Sequence, residues 1–419
     1  MQFKLLNFHK FVGNFATSLV GTFIPLMIYK ATGNLRLVAL FLIGECVTRV
    51  VFNHVFKKLY TRYPQLMLMI RTIPLLIYNI SLIFLEDFMV VGIIVVTISY
   101  GMNLAFKNNA NGVLLNYTSR KKSSKKLTST RIVEALSAIV AAIAGGLFID
   151  WNQTLLIIFS MVLYIISVLP LFVFFITNKG KKGFNKDFTS NAAIEYDKDP
   201  ELKLKRKRLV RKFVTRFLLF YAIFCVVDNF TTMYSLHLFV SVPTFAQAGY
   251  LSAVFQFANL VGVMFVEWIS KKMDLKVANF IFAIICAIPL GIMPFIQNYA
   301  LLYTLIFIFG FAYSICSYFM MNSLLTKCKI ISATNRSLLA RQDGAMIGKA
   351  ITPLVILIGG IITPVFFAMM VGLVIYSIYS TIAEERMRKE LVDYIENNEI
   401  ESDSDTVIKR QKKEKSKQE

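Results

Sequence analysis

The sequence predicts an all-α polytopic membrane protein, with 12 transmembrane helices arranged as two six-helix bundles related by a pseudo-two-fold repeat. Three observations lead there: apolar residues fall in long blocks, basic residues fall in alternate linkers, and features of the first half recur in the second. Of 419 residues, 56% are apolar, above the roughly 45–50% of a soluble chain. The blocks run to about 20 residues, enough to cross about 30 Å of hydrocarbon as a helix.

Taken in order, the expected spans are 11–29, 37–56, 66–85, 88–108, 132–149 and 153–176, then 215–239, 247–269, 277–296, 299–325, 342–358 and 361–382. Span 1 follows Met1–Lys10 at once, with no small-residue cleavage site, and reads as an uncleaved first helix. The net charge of +21 is placed by topology rather than by nucleic acid. Lys57, Lys58 and Arg62 follow span 2. Lys107, Arg120, Lys121, Lys122, Lys125 and Lys126 follow span 4. Lys271, Lys272 and Lys276 follow span 8, and Lys327, Lys329 and Arg336 follow span 10. The other linkers hold Lys30 and Arg36 or acids (Glu86, Asp87, Asp150). This positive-inside pattern predicts a multi-pass protein of the cytoplasmic membrane with both termini in the cytoplasm.

The domains expected are an N-terminal bundle (1–177), a basic cytoplasmic linker (178–212), a C-terminal bundle (213–383) and a charged tail (384–419). The linker run Lys203–Arg208 suits anionic headgroups and lacks the aromatic or groove-reading element of a nucleic-acid site. Cys46, Cys225, Cys286, Cys316 and Cys328 are odd in number, without C-x-x-C spacing. With His9, His54 and His237 widely separated, neither disulfides, a metal nor a cofactor is expected. No G-x-x-x-x-G-K-[ST] occurs, so energy for transport would come from a gradient.

A shift of 214 residues lays Asn14 on Asp228, Lys57-Lys58 on Lys271-Lys272, Asn108 on Asn322 and Gly145-Gly146 on Gly359-Gly360. Thr72–Leu75 matches Ala287–Leu290 with one residue of slip. The shared offset, in matching places of two six-span halves, is the sign of an internal repeat. Asn335-Arg336 followed by Gly348 and Gly359-Gly360, and Arg131 followed by Gly145-Gly146 and Trp151, resemble the span-11 and span-5 patterns of the major facilitator superfamily. The segment Asn53–Gln65 keeps the basic residues of that family's loop after span 2, with Asn53 in place of its glycine. The resemblance implies spans 1, 4, 7 and 10 around a central cavity, 2, 5, 8 and 11 beside them, and 3, 6, 9 and 12 outside.

Polarity agrees. Spans 6, 9 and 12 are almost wholly apolar, and span 3 carries only Arg71, at its cytoplasmic end, and Asn79. Other spans bear polar stripes at helical spacing: Asn14 and Ser18; Glu45, Arg49 and Asn53; Tyr100, Asn103 and Lys107; Asp228 and Thr232; Ser252, Gln256 and Asn259. Glu45 and Arg49, at i,i+4, read either as an ion pair that carries both charges into the membrane or as a proton-coupling carboxylate tuned by its neighbour. Asp228 and Lys349 have no partner on their own helices; they could pair across the C-terminal half, or Lys349 could snorkel toward the cytoplasm. Asn103, Gln256 and Asn259 suit a polar solute or interhelical hydrogen bonding. Arg341 and Asp343 suit a gate or an interface rather than a solute, and Glu134 and Glu267 suit pairing with loop bases.

The candidate site is therefore Asn14, Glu45, Arg49, Asn103, Asp228, Gln256, Asn259 and Lys349. The function expected is a non-enzymatic secondary transporter of a small-molecule solute, H+-coupled, working by alternating access. The alternatives are a flippase for an amphiphile or lipid-linked glycan, a non-transporting sensor or scaffold, and a membrane enzyme on a lipid-linked substrate. No surface cluster of carboxylates or histidines supports the enzyme.

Overall fold

The computed structural model describes residues 2–118, 123–178, 200–330 and 334–396, which form helices joined by short breaks, with no strand among them. Arg120 to Lys122, the linker residues 179–199 and the tail beyond Glu396 lie outside the described residues. Among the described residues, eight segments are long and apolar enough to cross a membrane. One of them, Ile132–Val173, holds spans 5 and 6 together. The chain turns between them at Asn152, whose side-chain oxygen caps the next helix by accepting the Leu155 N–H at 2.9 Å.

Three further helices complete the set of 12: Leu35–Val55 (span 2), Pro200–Phe224 continued by Phe230–Ser241 (span 7), and Thr334–Gly359 (span 11). They are the spans that carry Glu45 and Arg49, Asp228, and Lys349. Charge inside a membrane must face protein or water, and these three helices meet that demand by packing on one another, span 2 and span 7 both against span 11. Spans 3, 6, 9 and 12 expose apolar side chains at helical spacing, for example Ile281, Ile284, Ile288 and Ile292, and Val371, Val374, Ile378 and Ile382, as the outer faces of spans 2 and 11 also do (Val47, Val51 and Val55; Ile347, Ile351 and Ile358). For spans 3, 6, 9 and 12 that is the outer, lipid-facing position expected.

Spans 1 and 7 are both interrupted. The first helix of span 1 ends at Gly21 and the next runs Ile24–Thr32. Pro25 has no N–H, and its ring excludes the carbonyl four residues earlier, that of Gly21. The freed carbonyl accepts the Tyr100 hydroxyl of span 4 at 3.4 Å. In span 7 the helix ends at Phe224, tightens to 3-10 over Cys225–Val227, and resumes at Phe230. Asp228 and Asn229 sit in the gap, and such side chains compete with the backbone for its own hydrogen bonds. Here Tyr313 of span 10 donates to the Asp228 carboxylate. A tyrosine of span 4 or 10 thus serves the break of span 1 or 7 in each half.

The repeat is real but has no single offset. Gly101 packs on Thr48 as Ser314 packs on Gly262, and Gly44 on Thr97 as Ala258 on Gly310, so the shift of 214 residues does carry span 2 onto span 8. Gly145 lies on the Leu19 carbonyl and Gly348 on the Ala222 carbonyl, both pairs 203 residues apart. Spans 1 and 5 therefore map onto 7 and 11 by the shorter step, because the linkers between elements differ in length. Two expected matches fail for that reason. Asp228 corresponds to the break after Gly21 rather than to Asn14. Gly145-Gly146 lie within a helix crossing, whereas Gly360 is a left-handed helix end (φ 69°) and nothing stands within 4 Å of the Cβ position of Gly359.

The halves meet along two seams. Span 5 crosses span 8 where Gly146 faces the Phe245 carbonyl and Gly249 faces that of Ala142, contacts that only glycine allows. Both Asp150 oxygens there accept N–H groups at the start of span 8, from Phe245 at 3.2 Å and Ala246 at 3.0 Å, a favourable place for an acid. Span 2 lies along span 11, and near the basic-linker end His54 meets Asp343 at 3.0 Å, joining the halves. Arg341 instead lies over the Tyr221 ring, within the C-terminal half. The opposite end is covered by Phe23 on Phe245, Tyr29 against Phe239, and Lys30 over Phe245. From Pro200 the basic run is helical and continuous with span 7, and Arg216 grips Glu390 of the helix extending span 12 through two bonds of 2.8 and 2.9 Å.

Candidate functional site

The charges of spans 2, 7 and 11 form two ion pairs, one per half. On span 2 the Arg49 guanidinium holds the Glu45 carboxylate at 2.9 Å, both buried. In the C-terminal half, Lys349 Nζ stands 3.6 Å from Asp228 Oδ2, while Tyr313 donates to Oδ1. Lys349 thus turns to Asp228 instead of toward an aqueous face. Span 2, which carries Glu45 and Arg49, packs along span 11, which carries Lys349, so the two pairs belong to one seam.

The break in span 7 is bolted in place. Asn229 donates to the Lys349 carbonyl at 2.7 Å and to the Thr352 hydroxyl at 3.1 Å, and Gly344 and Gly348 let span 11 approach the Leu218 and Ala222 carbonyls. Asp228 is held at an interruption rather than inside a continuous helix, where its carboxylate can take a tyrosine on one oxygen and an ammonium on the other. Phe224, Phe255 and Phe309 pack around the Tyr313 ring and fix it. In sequence Tyr313 reads, like Asn103, as either a solute contact or an interhelical hydrogen bond, and it makes the second; for Asn229 the Asp-Asn pair, a poor helix former, was the available signal.

The remaining sequence candidates spread out. On span 8, Gln256 and Asn259 are half-buried, and the Asn259 side-chain oxygen is buried without a partner. Asn259 is the repeat counterpart of Glu45, so the two halves present an amide and an acid at matching places. Asn14 is buried in the first helix of span 1, and no described hydrogen bond or ion pair links it to the charged pairs. Asn103 is fully buried inside the N-terminal bundle, and its carbonyl oxygen accepts the Arg71 Nε–H at 2.6 Å. Glu134 pairs with Lys10 at 3.2 Å, a base at the start of span 1 rather than of a loop. Among the described residues no group of histidine, cysteine and carboxylate side chains could hold a metal ion.

Comparison with known proteins agrees with this architecture. The family described as Major Facilitator Superfamily matches residues 7–329. Among solved structures, a bacterial homologue of the iron transporter ferroportin in its inward-facing state is similar with a TM-score of 0.67 at 10% identity, over 91% of this chain and 98% of that one. The nucleoside transporter NupG gives 0.59 at 12% identity over 93% and 98%. FucP, a major facilitator transporter in the outward conformation, gives 0.57 at 16% over 91% and 98%. No curated protein matches the chain. The chain belongs to the major facilitator superfamily, and its fold is that of these transporters.

Proposed function

We propose that this major facilitator protein is a secondary transporter that carries a small polar solute by alternating access between its two bundles, with protonation of Asp228 or Glu45 as the coupling step. The observation that carries the reading is the two ion pairs at the seam of spans 2, 7 and 11, Glu45–Arg49 buried and Asp228–Lys349 half-buried at a helix break. A buried pair is neutral as a unit, and removing either charge strands the other. A proton on Asp228 would release Lys349, and a cationic group of a solute could displace it. Either event changes which arrangement of span 7 against span 11 is favoured, and a ligand shifts such an equilibrium by its difference in affinity for the two states.

The seams support the motion. Glycine and alanine bring backbones of spans 5 and 8 together without interlocking side chains, as suits bundles that rock on each other. Fold alone does not name the solute. The test is purified protein in sealed vesicles, incubated with a whole-cell metabolite extract, with and without an inward proton gradient, and the contents read by mass spectrometry. The expected result is at least one solute concentrated in the vesicles only when the gradient is applied. Contents identical to those of protein-free vesicles would overturn the reading. Gradient-independent equilibration would retain transport and remove the proton.

A further inference from the structure

The N-terminal bundle holds a second polar cluster that the seam does not use. Arg71 stands at the junction of the helices Pro64–Ile70 and Thr72–Ile83 and is 2% exposed. Its Nε–H is taken by Asn103, and its guanidinium lies over the Tyr164 ring at 5.0 Å, but Nη2 has no partner. Around it the Asn103 amide nitrogen and the hydroxyls of Thr72, Tyr78 and Tyr164 are also buried and unpartnered. All of these can donate a hydrogen bond. Lys107, one turn beyond Asn103, lies within electrostatic range of Arg71 and of Lys10. The acid nearby, Glu134, is paired with Lys10. Among the described residues, Arg71 and Lys107 have no acid of their own.

The fold does not require this chemistry. Pro74 and Pro289 mark the same turn of spans 3 and 9, and Tyr100 and Tyr313 the same turn of spans 4 and 10. Three residues before the prolines stand Arg71 and Cys286; three residues after the tyrosines stand Asn103 and Cys316. The C-terminal bundle thus fills the equivalent place with two buried thiols, whose sulfurs donate to the Phe309 and Asn279 carbonyls. A buried guanidinium with a free donor is costly unless something pairs with it. Half of a repeat that keeps one, where the other half packs cysteines, has a use for it.

We propose that Arg71, Asn103, Tyr78, Tyr164 and Lys107 form a binding site for an oxyanion, a phosphate or carboxylate group, within the N-terminal bundle toward its basic-linker end. The buried donors without partners and the two cations without an acid fit such a group. Two sources share the chemistry: a soluble anion and the phosphate of a lipid headgroup. The site goes beyond the transport reading and is tested by binding alone, so a failure of flux leaves it standing.

The experiment is calorimetric titration of the purified full-length protein with inorganic phosphate, and separately with dioctanoyl phosphatidylglycerol, against chloride at matched ionic strength. Arg71→Gln removes the central donor. Lys107→Gln removes the second cation at a half-buried position, which keeps the test open if Arg71→Gln does not fold. The pair Arg71→Cys with Asn103→Cys copies the packing that the C-terminal bundle already accommodates. The expected result is saturable binding of one probe in the wild type, weakened about tenfold or more in the folded variants, since each loses a charge-assisted hydrogen bond or a paired charge. Binding of phosphate assigns the site to a soluble anion; binding of the lipid alone assigns it to the bilayer. Binding of neither, or binding unchanged in folded variants, would overturn the proposal and leave the donors to buried water.

Discussion

Asp228 holds two partners of opposite consequence, a tyrosine hydroxyl that survives protonation and an ammonium that does not need to stay. Removing one member of such a pair leaves the other charge stranded, which costs more than removing both. Asp228→Asn should therefore lower the melting temperature, and adding Lys349→Gln should restore part of the loss, with a coupling of about 0.5–3 kcal/mol in a double-mutant cycle. Additive effects in thermal melts of the purified variants would dissolve the pair. Glu45→Gln keeps size and hydrogen bonding but cannot release a proton. It should abolish uptake against a gradient while sparing solute exchange, measured in the same vesicles. Concentrative uptake with unchanged pH dependence would leave the Glu45–Arg49 pair as structure only. Glu45, Arg49, Asp228 and Lys349 were legible in the sequence because charge is rare inside apolar blocks. Arg71 was not, because at the end of a span it reads as a residue reaching for water, whereas Asn103 reads as either a solute contact or an interhelical hydrogen bond, and it makes the second, to Arg71.

The helices were legible where they are apolar and ambiguous where they are not. Spans 2, 7 and 11 differ from the others in polarity, and their charges are what brings them together. The two glycine pairs look alike in sequence, yet a Cβ at Gly146 would lie 2.7 Å from the Phe245 carbonyl while one at Gly359 would meet nothing within 4 Å. Gly146→Ala should force spans 5 and 8 apart, destabilising by about 1–3 kcal/mol as overpacked sites do, and Gly359→Ala should be near neutral or slightly stabilising. Thermal melts of the two variants decide this, and equal behaviour would mean that the span 5–span 8 crossing is looser than the structure has it. Sequence patterns report that small residues line a helix but not what stands opposite them, which is why the matching of the two pairs failed.

At the scale of the molecule, the basic linkers lie at one end of both bundles, and we propose that this end faces the cytoplasm. Cysteines at the exposed positions Lys272 and Ser241 should then be labelled from opposite sides of intact membranes, Lys272→Cys from the cytoplasm and Ser241→Cys from outside. Labelling of both from one side would overturn the orientation. The six-plus-six division was legible because linker charge and apolar blocks repeat; the register of the repeat was not, because linkers of unequal length shift spans 1 and 5 by a different step from span 2. The central claim is that the halves rock about the two ion pairs of the seam, opening the end now covered by Tyr29 and Phe239. Spin labels at Ala31→Cys and Ser241→Cys, one on each half at that end, report it directly as a distance distribution. Rocking predicts two distances, a short one matching the covered end and a longer one. Their populations should shift between mildly alkaline and mildly acidic buffer, and lose that shift when Glu45→Gln and Asp228→Asn are combined. A single short distance, unchanged across that range, would contradict it.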